Sequence, residues 1–272
     1  MRIRRCGSSL PAVNPLTALR QERASFLGFC NDLAPDEWAT ESRAAGWRIQ
    51  DVVAHLGSGC HAMFGPSVLT MVTSSDIEGT NDIFVARRRH WEPARVLAEY
   101  RVWSRRMITA AKIVCWTPAR KVAVPLAELG RFPLDLLLFG AMTFDQHVHL
   151  RHDMAPALDR SVPESDANRV AVVLRWMFAV LQNQLSRSRP DWLDRPIGIV
   201  LDGPGGGSWI VDVNHATSWE NADIAEVHTW ISSTSLAFPV WATSRARWSD
   251  CDVNIKGDQN YGAAFLDSVN VV

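Results

Sequence analysis

The chain has 272 residues, enough for about two domains or one large one. Apolar residues make up 47% and charged residues 21%, which excludes a disordered chain. Lys and Arg number 28 against 29 Asp and Glu, without the cationic excess that nucleic-acid binding needs, and no apolar run approaches the roughly 20 residues of a membrane span.

The opening stretch, MRIRRCGSSLPAVNPL, is basic but has no continuous apolar core of the kind a secretion signal carries, and it reads as a frayed tail. From Pro15 to Leu33, apolar residues recur near helical spacing, and Pro35 ends the segment. A second helix is predicted from Arg48 to Phe64, with Ile49, Val52, Val53 and Leu56 as its stripe. A third runs from Pro93 to Ala111, opening on a proline that a first helical turn tolerates. A fourth spans Pro133 to His152, and a fifth Asp166 to Ser186. These helices suggest an antiparallel bundle.

The pattern changes at Ser186–Pro190, a polar, proline-ended stretch typical of domain boundaries. Strand-like segments follow at Ile197–Leu201, Trp209–Val213 and Glu226–Ile231, divided by the turn-rich Gly203–Gly207 and Asn214-His215. A helix from Ser233 to Ala242, a strand from Val253 to Lys256 and a helix from Tyr261 to Val269 complete an α+β unit. The expected organisation is a two-domain α+β chain, with a helical bundle over 14–187 and a mixed domain over 190–272.

The stretch Phe144-Asp-Gln-His-Val-His-Leu-Arg-His-Asp153 carries the densest chemistry. At about 100° per residue, Asp145, His149 and His152 share one helical face and His147 points to the other. A carboxylate and an imidazole at i, i+4 can offer two ligands to one divalent metal, although such pairs also occur as surface stabilisation. His55 is the best third ligand, because it sits in an otherwise apolar helix where an unpartnered imidazole is costly. Asp51, one turn earlier, could orient its ring. Three protein ligands would leave open positions, as in a catalytic zinc site.

Other features point to structure. The glycine run Gly203–Gly207 lacks the Gly-Lys-Ser/Thr ending of a phosphate loop and reads as a hairpin turn. Arg87–His90 reads as a solvated face, and Trp47, Trp103, Trp176, Trp230, Trp241 and Trp248 as core. The cysteines, Cys6, Cys30, Cys60, Cys115 and Cys251, form no CxxC pair, and their spacing suits a reducing cytoplasm better than a disulfide framework.

Leu33-Ala-Pro-Asp-Glu-Trp38 followed by Gly46-Trp-Arg-Ile-Gln-Asp-Val-Val-Ala-His-Leu56 resembles the opening of the mycothiol-dependent maleylpyruvate isomerase family, one of the DinB-like metal-binding bundles. Asp145-x-x-x-His149 and Asp153-Met-Ala-Pro156 continue the likeness. Phe238-Pro-Val-Trp-Ala-Thr-Ser-Arg245, Gly257-Asp258 and Phe265–Val272 resemble the family's sterol-carrier-like C-terminal domain. The resemblance implies a divalent metal, zinc by preference, on His55, Asp145 and His149, with Asp145 replacing the glutamate of the best-known member. It implies mycothiol as thiol cosubstrate, a small electrophile as substrate, and a binding role for Arg245 or Arg247. The function it implies is isomerisation or thiol transfer. The rival readings are a DinB-like hydrolase whose metal activates water, and a non-catalytic protein binding metal or an apolar ligand.

Overall fold

The computed structural model describes residues 2–6, 13–212 and 227–271. The chain divides into two compact units, Asn14–Glu164 and Met1–Val13 with Ser165–Val272.

The first unit is built on helices α1 (Pro15–Asn31), α2 (Ile49–Ala62), α3 (Ser67–Thr73), α4 (Ile77–Ala86) and α5 (Pro93–Val114). Asn14 starts α1 by accepting from Thr17 N–H at 3.0 Å, with Pro15 in the first turn. At the start of α2, Asp51 accepts from the backbone N–H of Arg48 at 3.1 Å. Gly57 permits a close approach of α2 to α5, since a β-carbon there would lie 3.1 Å from the Tyr100 backbone nitrogen. One cluster packs Phe26, Val52, Val53, Leu56, Tyr100 and Leu150 together; a second joins Leu19, Cys60, Met107 and Phe139. A short hairpin, β2 (Ala123–Leu126) and β3 (Gly130–Pro133), follows α5.

The predicted fourth helix forms, but not with one pitch. Its middle is α-helical, α6 (Met142–Val148), flanked by π-helical turns at Leu136–Ala141 and His149–Met154 and a 3-10 turn at Ala155–Leu158. A π turn takes more residues than an α turn, so the facing of every residue after Val148 departs from a regular wheel.

The second unit contains β1 (Arg2–Cys6), α7 (Ala167–Arg187), β4 (Ile197–Asp202), β5 (Gly207–Asp212), β6 (Thr229–Thr234), α8 (Phe238–Ala242), β7 (Asn254–Lys256) and α9 (Gln259–Ser268). The strands form one mixed sheet in the order β1-β5-β4-β6-β7. Only β4 and β6 pair in parallel, with Ile199 opposite Ile231. Ile197, Ile199, Leu201 and Ile231 are fully buried, while Val200 and Asp202 on β4 and Trp230 and Ser232 on β6 are more open. Phe178 of α7 stacks on Trp209 at 4.4 Å and Phe238 at 5.1 Å between ring centroids.

Three expectations are corrected. The N-terminal stretch is not frayed over residues 2–6, which pair antiparallel with β5. The predicted boundary at 187–190 moves to Glu164/Ser165, because α7 groups with the sheet rather than the bundle. An amphipathic helix carries the same stripe whether it covers helices or strands. The helix expected from Ser233 begins only at Phe238, since β6 continues through Thr234. Gly203–Gly207 is the β4–β5 turn: Gly205 has φ +67°, and a β-carbon there would lie 2.5 Å from the Ala167 carbonyl oxygen. The expected turn at Asn214-His215 and the residue Glu226 lie outside the described residues.

Candidate metal centre

His55 projects from the second turn of α2, Asp145 from α6, and His149 from the first residue of the π turn that follows it. One ligand atom from each lies within 4.8 Å of the other two. The Nε2 atom of His55 is 3.1 Å from Asp145 Oδ2, and His149 Nε2 is 3.6 Å from Asp145 Oδ1. The two imidazole nitrogens approach different oxygens of Asp145, each at close to the roughly 3.4 Å that separates neighbouring ligands around an ion with arms of about 2.0–2.1 Å, the bond lengths of zinc to imidazole and carboxylate. The donor set therefore fits a divalent ion of the zinc type. Asp145 is the open side of the triad, its side chain 31% exposed against 9% for His55 and 11% for His149.

Asp153 holds the second imidazole. It is fully buried, and its Oδ2 accepts from Nδ1–H of His149 at 2.7 Å. A carboxylate only accepts, so the bond puts the proton on Nδ1 and turns the Nε2 lone pair toward Asp145. Asp153 follows His149 by four residues, so the two side chains project from one side of the helix.

The indole of Trp47 lies against both histidines, with ring centroids 5.0 Å from His55 and 6.1 Å from His149. Its Nε1–H donates to Asp82 Oδ1 on α4 at 2.8 Å, which fixes the ring. Sequence reasoning assigned Trp47 to the core and left Asp153 without a role at the metal. The signal available was Gly46-Trp47, a turn that puts a large ring just before α2, and the i, i+4 spacing of His149 and Asp153.

The remaining expectations divide. His147 does point away from the triad: it is buried with Nδ1 2.7 Å from Glu22 Oε1, and Arg151 donates to the other oxygen of Glu22 at 2.9 Å. His152 leaves the shared face, and its ring lies 6.1 Å from that of His147. The wide turn accounts for this, because three residues of π helix do not return a side chain to the starting face. Asp51 does not orient His55; it accepts from the Arg48 guanidinium at 3.1 and 3.2 Å. Cys60 is fully buried, and burial pushes its thiol up, with the Asp145 charge adding to the effect, so it supplies no thiolate to the triad. Arg88, expected on a solvated face, donates to the buried Glu99 at 2.7 Å. Arg245 and Arg247 belong to the second unit: Arg245 is half-buried and donates to Thr243 Oγ1 at 2.9 Å, while Arg247 is exposed.

A helical bundle that brings two imidazoles and one carboxylate within 4.8 Å of one another, followed in the chain by a mixed-sheet unit, defines the structural class. Residues 19–128 match the family model of the mycothiol maleylpyruvate isomerase N-terminal domain, so the family resemblance in the sequence holds for that segment. Two solved structures share the fold over most of both chains. They are mycothiol-dependent maleylpyruvate isomerase and a histidine-to-alanine mutant of it, each 15% identical, with a TM-score of 0.56, covering 90% of this chain and 93% of the other. No curated protein sequence matches the chain. Among the described residues, no helix is long and apolar enough to cross a membrane.

Proposed function

We propose that this chain is a metal-dependent, mycothiol-using enzyme of the cytoplasm that isomerises, or transfers thiol to, a small electrophile. The observation that carries the reading is the convergence of His55, Asp145 and His149 within 4.8 Å in a chain carrying the family's N-terminal domain. These three residues would hold the ion. A zinc ion so bound supplies Lewis acidity that lowers the pKa of a thiol, so that thiolate exists at neutral pH.

The protein's own groups support that chemistry. Asp153 keeps His149 in the tautomer that presents Nε2. Trp47 packs against both histidines, which leaves the more exposed Asp145 side for an incoming thiol. Arg245 and Arg247 remain candidates for holding thiol or substrate, on the family resemblance alone.

The test is cobalt substitution followed by mycothiol titration. A sulfur-to-metal charge-transfer band in the near ultraviolet is expected, abolished in His55→Ala and His149→Ala through metal loss. Arg245→Ala or Arg247→Ala should raise the mycothiol concentration needed without removing metal. A cobalt form blind to millimolar mycothiol that hydrolyses esters or amides would replace this reading with the hydrolase. Blindness together with no turnover would favour the binding protein.

A further inference from the structure

The exposed side of α5 carries a second feature, separate from the metal triad. Val102, Arg105, Arg106, Thr109 and Ile113 recur at helical spacing and form one wall of a groove. Arg23 and Leu27 of α1, and Phe64 just after α2, line the same groove. The cavity measures about 960 Å³, near the upper end of the roughly 300–1,000 Å³ usual for small-molecule sites. From Arg101 to Ile113 the wall extends about 18 Å at 1.5 Å per residue.

Its charge is uncompensated. Arg23, Arg101, Arg105 and Arg106 all line the groove, and among the described residues none forms an ion pair with a carboxylate. Arg48, Arg88, Arg151 and Arg160, by contrast, are each paired. The only acidic residue of α5, Glu99, is taken by Arg88 and His61. Three of the four groove arginines are nonetheless held by neutral partners. Arg23 donates to Ser104 Oγ at 2.7 Å and to the Arg101 carbonyl at 2.8 Å. Arg101 donates to Asn31 Oδ1 at 2.9 Å, and the Arg106 guanidinium lies 4.4 Å from the Trp103 ring centroid. Cations positioned but not neutralised are a preorganised receptor for an anion.

The walls between the guanidiniums are apolar. Phe64 is 44%, Val102 45% and Ile113 63% exposed, an unusual display of large apolar side chains along about three turns of α5 and the turn that follows α2. An inorganic anion would leave these surfaces in water, and an uncharged apolar ligand would leave four cations unmatched.

We propose that the α1–α5 groove binds a small amphiphilic anion, an acidic head on an apolar body. The head engages the arginine cluster while the body covers Phe64, Val102 and Ile113.

Decanoate, below its micelle threshold, is the probe, titrated calorimetrically into the full-length protein alongside decyltrimethylammonium and acetate. One saturable site is expected for decanoate, at least tenfold tighter than for the cation, with no measurable heat from acetate. The exposed pair Arg105→Glu/Arg106→Glu should weaken decanoate at least tenfold, and Ile113→Glu should also weaken it. Arg87→Glu, an exposed arginine outside the groove, should leave it unchanged. If the double variant does not fold by circular dichroism, Arg105→Gln takes its place, with a smaller loss expected. Equal binding of cation and anion, or charge reversal without effect, would overturn the proposal. So would association only with anionic vesicles or only with an acidic helical peptide.

Discussion

At the scale of single residues, two buried carboxylate–imidazole pairs lie two residues apart in the chain and do different things. His149 leans on Asp153 and offers Nε2 to the triad, whereas His147 leans on Glu22 and offers nothing to it. Asp153→Ala should therefore weaken metal binding by about 10–100-fold, the usual cost of losing a group that orients a ligand. Competition with a chromophoric chelator measures it. Asp153→Asn should fall between that variant and the native protein, because its carbonyl oxygen still accepts from Nδ1–H while the negative charge is gone. His147→Ala should leave metal content intact and instead destabilise the fold by on the order of 3 kcal/mol, since the fully buried Glu22 keeps only part of its pairing. Urea unfolding of the metal-free protein reads this directly. Metal loss in His147→Ala would mean that the wrong imidazole has been assigned.

At the scale of elements, Glu99 ties three of them together: it lies on α5, accepts from His61 of α2, and is paired with Arg88 just beyond α4. Burial alone would raise its pKa, but the hydrogen bonds from Arg88 and His61 outweigh burial and hold it below the ordinary glutamate value. A carboxylate depressed in the folded state contributes stability that is present above the ordinary pKa. That stability is lost as pH falls through the lower folded value, because the unfolded chain binds the proton first. Thermal melts from pH 7 down to pH 3 should show this acid-side loss in the native protein and a shallower loss in Glu99→Gln. The elements themselves were unequally legible in the sequence. Long amphipathic segments such as α5 and α7 declare themselves through a stripe repeated over several turns. The seven-residue α3, the ten-residue α4 and the β2–β3 hairpin do not, having too few periods to stand out from a loop. The triad could be read because the chain from Asp145 to His149 is α-helical up to Val148, and His149 stands at the point where the pitch widens. His152 and Asp153 lie beyond it, so a regular wheel selected the wrong one of the two. Trp47 was hidden for another reason: its role depends on α2 and α6 meeting, which no local pattern reports.

At the scale of the whole molecule, the grouping of α7 with the sheet reverses the outcome of a cut at Ser186–Pro190. Four of those five residues are exposed, so a protease should find them. Were this stretch the linker between bundle and mixed domain, one cut would release a free bundle of about 187 residues. Instead α7 is fastened to residues on the far side of the cut. Gln184 donates to the Ser268 carbonyl at 2.8 Å, and the Phe178 ring is stacked on Trp209 and Phe238. Val170, Val173, Leu174, Met177 and Leu181 are all 1% exposed or less, so separation would bring a full apolar stripe into water. At roughly 1.5–3 kcal/mol for each large apolar side chain uncovered, the five together cost about 8–15 kcal/mol, comparable to the whole stability of a domain. Brief proteolysis should therefore give two bands on a denaturing gel that co-elute as one species in native gel filtration and part only in denaturant. A nicked protein that separates into two folded fragments without denaturant would return α7 to the bundle and the boundary to Ser186–Pro190.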